Sequence, residues 1–277
     1  MTSTSSPATG TATACYVYGI VLERTAAEAH PDRLRGVADT GGQVTSVRHR
    51  GIAAVVSDIP TDRPLGRPDD LRAHARVLDT LAAGFDPVLP FRFGAVLRDS
   101  QAVVDELLEP YHDDFLGALE SLADRAQYSL RARYELDTVL PEVLEEVPEA
   151  RRLREEVQGL SEEAGYDRRI RLGEIVSEAV ARKRELDARE IERVLAPLAT
   201  AAAFTETTTA EGLADAAFLV ERRRSEAFEA AAEELAGRWY GRVRLRLLGP
   251  LAAYDFAPEL MGGSDGPDVA DGPEGEG

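Results

Sequence analysis

Gln127-Tyr-Ser-Leu-Arg-Ala-Arg-Tyr-Glu135 alternates without a fault. Tyr128, Leu130, Ala132 and Tyr134 fall on one side, and Ser129, Arg131, Arg133 and Glu135 on the other. An extended chain turns successive side chains to opposite faces, so this is a strand with one face buried and one wet. Trp239–Leu248 repeats the pattern, with Val243, Leu245 and Leu247 set against Arg242, Arg244 and Arg246. Residues 138–200 between them are helical in composition, with breaks expected near Pro141, Pro148 and Gly165. Leu172, Val176, Ala179 and Leu186 give the longest helix its apolar stripe. Phe204–Thr209 and Ala216–Arg222 read as strands, and Ser225–Ala236 as an amphipathic helix.

From Gln127 onward the order is therefore β, α, β, β, α, β. That is the ferredoxin-like pattern, an antiparallel sheet with helices on one face. The first helical element is enlarged by an insertion at about 138–168. In such a sheet the first and last strands are neighbours. If their apolar sets face the helices, Arg131, Arg133, Arg242, Arg244 and Arg246 gather on the other face. Like charges on adjacent strands repel, and Glu135 and Glu221 offset only part. Three coverings are open. The acidic insertion (Glu142, Glu145, Glu146, Glu149, Glu155, Glu156) or the acidic tail could lie over the face. An acidic element of a partner could dock there. RNA is the weakest choice, because the tyrosines are expected to face the helices and bases need exposed rings to stack on.

Working toward the N-terminus, Cys15-Tyr-Val-Tyr-Gly-Ile-Val-Leu22 reads as a strand. Gln43–Arg48 and Ile52–Val56 are joined through His49-Arg50-Gly51, which predicts a hairpin. Asp69 and Asp70 are N-cap candidates for a helix striped by Leu71, Ala75, Leu78 and Ala82 and stopped at Gly84. Pro87-Val-Leu-Pro-Phe-Arg-Phe93 is a short strand with Pro90 at an edge or bulge. Ser100 opens a helix that Pro110 should break. No internal repeat is legible. Residues 1–14 hold eight Ser or Thr, and the stretch from 258 to 277 has six acids and no base. Neither end can repay its ordering entropy by burial. The reading is thus an α+β protein of two domains. A mixed α+β domain spans 15–126 and a modified ferredoxin-like domain spans 127–257, between disordered tails at 1–14 and 258–277.

The chain has 277 residues, enough for a real core. With Lys+Arg 32 against Asp+Glu 50, its net charge is −18. That charge opposes nonspecific binding to nucleic acid or an anionic membrane, since both need a positive field. One cysteine, Cys15, excludes an intramolecular disulfide and a Cys-rich zinc site. No apolar run is long enough to span a bilayer, and residues 1–14 lack the basic n-region of a secretory signal. A cytoplasmic protein is expected. His30, His49, His74 and His112 show no metal-ligand spacing. There is no phosphate-binding glycine motif and no nucleophile elbow. Paired acids such as Asp113-Asp114 diverge on a helix and make poor acid–base dyads. No catalytic residue, metal or cofactor is expected.

Pro87-Val-Leu-Pro-Phe-Arg-Phe-Gly-Ala-Val-Leu-Arg98 resembles the gas vesicle protein GvpF/GvpL family. Tyr16-Val-Tyr-Gly-Ile20, Ala53-Ala-Val-Val-Ser57, His74-Ala-Arg-Val-Leu78 and Ile170-Arg-Leu-Gly-Glu174 agree with it in order and spacing. Gly249-Pro-Leu-Ala-Ala-Tyr-Asp-Phe256 agrees more loosely, having Leu251-Ala-Ala253 where the family usually has aromatic and proline residues. The resemblance implies the two domains above and a non-enzymatic role in gas vesicle assembly, at the vesicle or in the cytoplasm. It implies contact with the small hydrophobic shell protein GvpA and with other accessory proteins. The candidate contact residues are Phe91, Arg92, Phe93, Arg131, Arg133, Arg242, Arg244 and Arg246. Arg92 has a second reading, a buried charge tied to Asp58 that locks the first domain. The alternative function is a ligand-binding protein or enzyme with a small-molecule pocket between the domains.

Overall fold

The computed structural model describes residues 13–28, 34–37, 42–62, 64–84 and 87–257. His30 and the expected tail at 258–277 lie outside them, as does the N-terminal tail up to residue 12. The chain forms two compact units, one running to Gln127 and resuming at Pro250, the other Tyr128–Gly249. The expectation that residues to 257 belong with the second domain therefore differs from the contacts. Ala252 and Tyr254 pack on the core of the first unit. Gln127, buried, receives the Asp255 N–H at 3.0 Å and donates its amide to the Asp255 carboxylate.

The first unit is built on β1 (Thr13–Leu22), whose apolar run is buried almost end to end. The hairpin of β2 (Thr45–His49) and β3 (Ile52–Pro60) turns through Arg50 and Gly51, both at positive φ (46° and 91°). That is the backbone which suits the twist of a two-residue hairpin. The sheet order is β2-β3-β1-β4, with β4 (Val88–Pro90) at an edge and β5 (Val96–Leu97) also on β1. Pro90, which has no N–H to give a further strand, sits on that edge strand as expected. Helices α1 (Glu23–Glu28) and α2 (Pro68–Ala82) complete a β-α-β-β-α-β order.

Helix α2 departs from its expected phase and cap. Arg67 is the N-cap, Pro68 opens the helix, and Asp70 accepts the Arg67 N–H at 3.1 Å. Asp70, His74, Val77, Leu78 and Leu81 are buried, while Leu71 is exposed. Pro110 ends the next helical stretch as expected. Ser100–Ala102 (α3), capped by Asp99, runs into a π-turn over Val103–Leu108, and α4 (His112–Ser121) follows.

Gly19 shows how tightly β4 approaches. A Cβ there would stand 2.5 Å from the Leu89 carbonyl oxygen, a backbone atom that cannot swing away. Gly19→Ala is expected to destabilise the first unit by about 2 kcal/mol through strain in a packed region. A urea midpoint unchanged from the parent would contradict this.

The second unit has β6 (Arg125–Tyr134), β7 (Ala201–Thr205), β8 (Gly212–Glu221) and β9 (Val243–Leu251) in the order β7-β8-β6-β9. This is the ferredoxin-like strand order read from the sequence. Helices α7 (Tyr166–Leu195) and α8 (Ser225–Arg238) lie on one face, reached by Tyr134 and Tyr128 respectively. The insertion is α5 (Leu136–Glu146) and α6 (Pro148–Val157). Pro148 opens α6 and Gly165 precedes α7, as expected, but Pro141 lies inside α5 and does not break it. The first sheet has the same 2-3-1-4 order as the second, so a repeat illegible in the residues is present in the topology.

Candidate functional sites

The Pro87–Arg98 stretch leaves the sheet in its middle. After β4, the Phe91 N–H still bonds the Tyr18 carbonyl at 2.8 Å. The chain then turns through Gly94 (φ 101°), and the Val17 N–H takes the Ala95 carbonyl at 2.9 Å before β5 rejoins β1. The turn separates the three contact candidates. Phe91 is 3% exposed and packs toward Phe115, so it is corrected from a contact residue to a core residue. Arg92 and Asp58 are both exposed, so Arg92 is not the buried charge that the expected lock describes. Phe93 is half-buried against Tyr16 and His74. Val96, beyond the turn, is 41% exposed.

Beneath the turn is a sealed polar cluster. The Gly94 N–H donates to the Tyr16 hydroxyl (3.2 Å), which lies 2.8 Å from His74 Nδ1. One proton is shared between the Tyr16 hydroxyl and Nδ1, and the His74 ring also reaches the Phe91 backbone carbonyl. The Tyr18 hydroxyl accepts the Val37 N–H (2.7 Å) and meets Ser57 Oγ at 2.8 Å. Burial raises both tyrosine pKa values and pulls His74 down to about 4, against the hydrogen bond to Phe91. Four of the family-like stretches meet here: those of Tyr16–Ile20, Ala53–Ser57, His74–Leu78 and Pro87–Arg98. His74 is 5% exposed, so the cluster lies out of water and supports the turn from within the core. Cys15 is buried, and burial pushes its thiol up to about 11.

In the second unit the strand alternation holds. Tyr128 donates to Glu229 at 2.7 Å and Tyr134 to Asp187 at 2.6 Å, which places both on the helix side. Arg131, Arg133, Arg244 and Arg246 occupy the other face. Arg131 meets Asp215 at 3.1 Å and Arg244 meets Glu135 at 2.7 Å. Arg242 is corrected. It precedes β9, and its guanidinium turns to the helix side, over Tyr134 and Trp239, where it binds Asp187 of α7 and Glu142 of α5. The acidic insertion thus answers Arg242 and Lys183. A recess of about 330 Å³ between β9 and α8 is lined by Tyr128, Glu229, Ala232, Leu245, Leu247 and Gly249. Gly249 is obligatory there, because a Cβ would stand 2.4 Å from the Tyr128 ring.

Helix α7 carries a feature the sequence reading missed. Ile175 and Ala179 are buried, whereas Leu186, assigned to the apolar stripe, is exposed. Tyr166 and Ile170, four residues apart and so on one face, are 62% and 47% exposed. Gly173, on the same face, looks into open space. The signal was available: both residues are out of phase with Leu172, Val176 and Ala179.

The comparisons with known proteins agree with these observations. The family model described as gas vesicle synthesis protein GvpL/GvpF matches residues 14–258. A gas vesicle protein F of Streptomyces sp. is 36% identical over 245 residues, covering 87% of this chain and 98% of the relative. A gas vesicle protein L of the same strain is 29% identical over 236 residues, covering 80% of this chain and 86% of the relative. The crystal structure of the gas vesicle protein GvpF from Anabaena sp. superposes with a TM-score of 0.73 at 24% identity, covering 88% of this chain and 98% of that one. With a family match spanning nearly all the described residues, and the same fold in a solved relative, the chain belongs to the GvpL/GvpF family of gas vesicle synthesis proteins.

Proposed function

We propose that this protein is a non-enzymatic accessory factor of gas vesicle assembly that binds the small hydrophobic shell protein GvpA. The observation that carries the reading is solvent-exposed apolar surface on family-like stretches. Ile170 is 47% exposed and Val96 is 41% exposed, with Tyr166 beside Ile170 on the same helix face. A subunit that assembles through apolar surface aggregates when that surface is left bare. A carrier of charge −18 with small apolar patches can cover it reversibly and keep the pair dispersed. Arg92 is exposed on the same stretch as Val96. The higher identity to the F-type than to the L-type protein of one Streptomyces strain, 36% against 29%, favours the F-type role.

Co-purification of GvpA from co-expressing cells tests the reading. The parent chain is expected to retain GvpA in mild salt. Ile170→Glu is expected to reduce the yield of GvpA at least about five-fold, as loss of an apolar anchor does, with the circular dichroism unchanged. No retention by the parent chain, together with normal vesicles in a deletion strain, would reject the function.

A further inference from the structure

We propose that the arginine-bearing side of the β6–β9 pair, away from α7 and α8, docks an acidic peptide segment of a partner protein. The Glu135 N–H bonds the Arg242 carbonyl at 2.9 Å, which sets the antiparallel pairing of β6 with β9. Counting along it puts Arg133 opposite Arg244 and Arg131 opposite Arg246. The contact of Gly249 with Tyr128 at the far end fits the same count. Arginines directly across neighbouring strands repel, so the fold carries this arrangement at a cost. Asp215 and Glu135 neutralise Arg131 and Arg244. Among the described residues Arg133 and Arg246 make no ion pair. Among the described residues the face therefore keeps two positive charges without an ion pair, on a chain whose net charge is −18.

The occupant follows from charge and shape. Alternate side chains on a strand lie about 7 Å apart and strands about 5 Å apart. Four guanidinia on such a grid match carboxylates clustered on one short peptide, and the planar fork of arginine suits bidentate carboxylate pairing. Leu248, exposed on the Arg246 side of β9, adds an apolar contact at the rim. A nucleic acid would need rings to stack on. Both tyrosines of β6 are committed to the helix side, and β9 has no aromatic residue. The residues of this surface are not those proposed to meet the shell protein, so either proposal can fail without the other.

The test uses the full chain and a fluorescent Glu/Leu peptide of about twelve residues, with a single-stranded oligonucleotide of similar charge as control, at low salt. Peptide binding is expected, weakening about ten-fold in the Arg133→Gln/Arg246→Gln double variant and further in Arg133→Glu/Arg246→Glu. Neither arginine holds the fold through an ion pair, so the Gln variant is expected to keep the parent's circular dichroism and thermal midpoint. Equal affinity of parent and Gln variant would overturn the proposal. So would oligonucleotide binding as tight as peptide binding. Binding seen only after removal of residues 258–277 would assign the face to this chain's own acidic segment and overturn the partner reading.

Discussion

Acidifying from pH 7 to pH 4 is expected to remove about 3 kcal/mol of stability from the first unit at one side chain, His74. The imidazole is buried, with Nδ1 on the Tyr16 hydroxyl. Burial disfavours the imidazolium and lowers the pKa from 6.5 to about 4. Above pH 6.5 the ring is neutral in both folded and unfolded chains. As pH falls through 6.5 the unfolded chain takes up a proton that the folded chain refuses until about 4. In that window the unfolded state binds more protons, so stability rises with pH and is lost on acidification. Asp79 works the other way, because burial raises its pKa and its protonation favours the folded state. The comparison that isolates His74 is therefore with His74→Gln, in urea titrations of the first unit at several pH values. The parent should lose stability more steeply than the variant between pH 6.5 and 4. Parallel curves would show that the ring is not held neutral. At neutral pH His74 lies far above its folded pKa, so the cluster under the Arg92 turn is a fixed support and not a sensor.

The parts of this fold that were legible are those where one face of an element is wet. In β6 and β9 the polar and apolar positions alternate, and period alone gave the strands, their buried faces and the arginine-bearing face. The ferredoxin-like order followed. Where both sides are buried, the pattern carries less. Helix α2 was mis-phased because two of its core-facing residues, Asp70 and His74, are polar and are satisfied by the Arg67 N–H and by Tyr16. A hydropathy pattern cannot anticipate a hydrogen-bonded core. The second reading of Arg92, as a buried charge, rested on its place between two phenylalanines, but Pro90 ends the strand, the chain turns at Gly94 and Arg92 is exposed. Arg242 was counted with Arg244 by parity. It lies one residue before the strand, where parity no longer holds. The return of Ala252 and Asp255 to the first unit is a contact over more than a hundred residues, and local sequence is silent on it.

The shared strand order of the two sheets gives these misreadings a common cause. Each unit has a central first strand, β1 or β6, flanked by the third and fourth strands of its own motif. The two units fill that plan with different chemistry. β1 is buried almost throughout and its sheet carries the Tyr16–His74 and Tyr18–Ser57 hydrogen bonds inside the core. From Tyr128 onward β6 is buried on alternate residues and leaves arginines outside. A residue-level repeat is not expected when one copy is enclosed and the other half-solvated, because burial dictates different side chains at equivalent backbone positions.

Replacing Arg242 by Ala is expected to destabilise the second unit by about 3 kcal/mol. Its guanidinium donates to Asp187 and, at 3.1 Å, to Glu142. Asp187 also receives the Tyr134 hydroxyl, and Lys183 lies 3.2 Å from Glu142. Burial opposes the charge of Arg242, but the hydrogen bond and attraction of Asp187 outweigh it and hold the pKa above its usual value. Truncation leaves Asp187 mostly out of water without its cation, and an uncompensated carboxylate is the costly half of a broken pair. It also strips the aromatic faces of Tyr134 and Trp239 of the group stacked over them, at 5.7 and 6.0 Å. The pairs are partly solvated, which places the loss at the lower end of the range of about 3–5 kcal/mol for buried ion pairs. A fall in thermal midpoint on the order of 10 °C follows for a unit of this size. Arg242→Lys, which keeps the charge and loses the fork, should fall between. The double variant Arg242→Met/Asp187→Leu removes both charges together and should recover part of the loss, since the penalty lies in the orphaned carboxylate. A double variant no more stable than Arg242→Ala would show that the network is held by packing and not by the charge of Asp187.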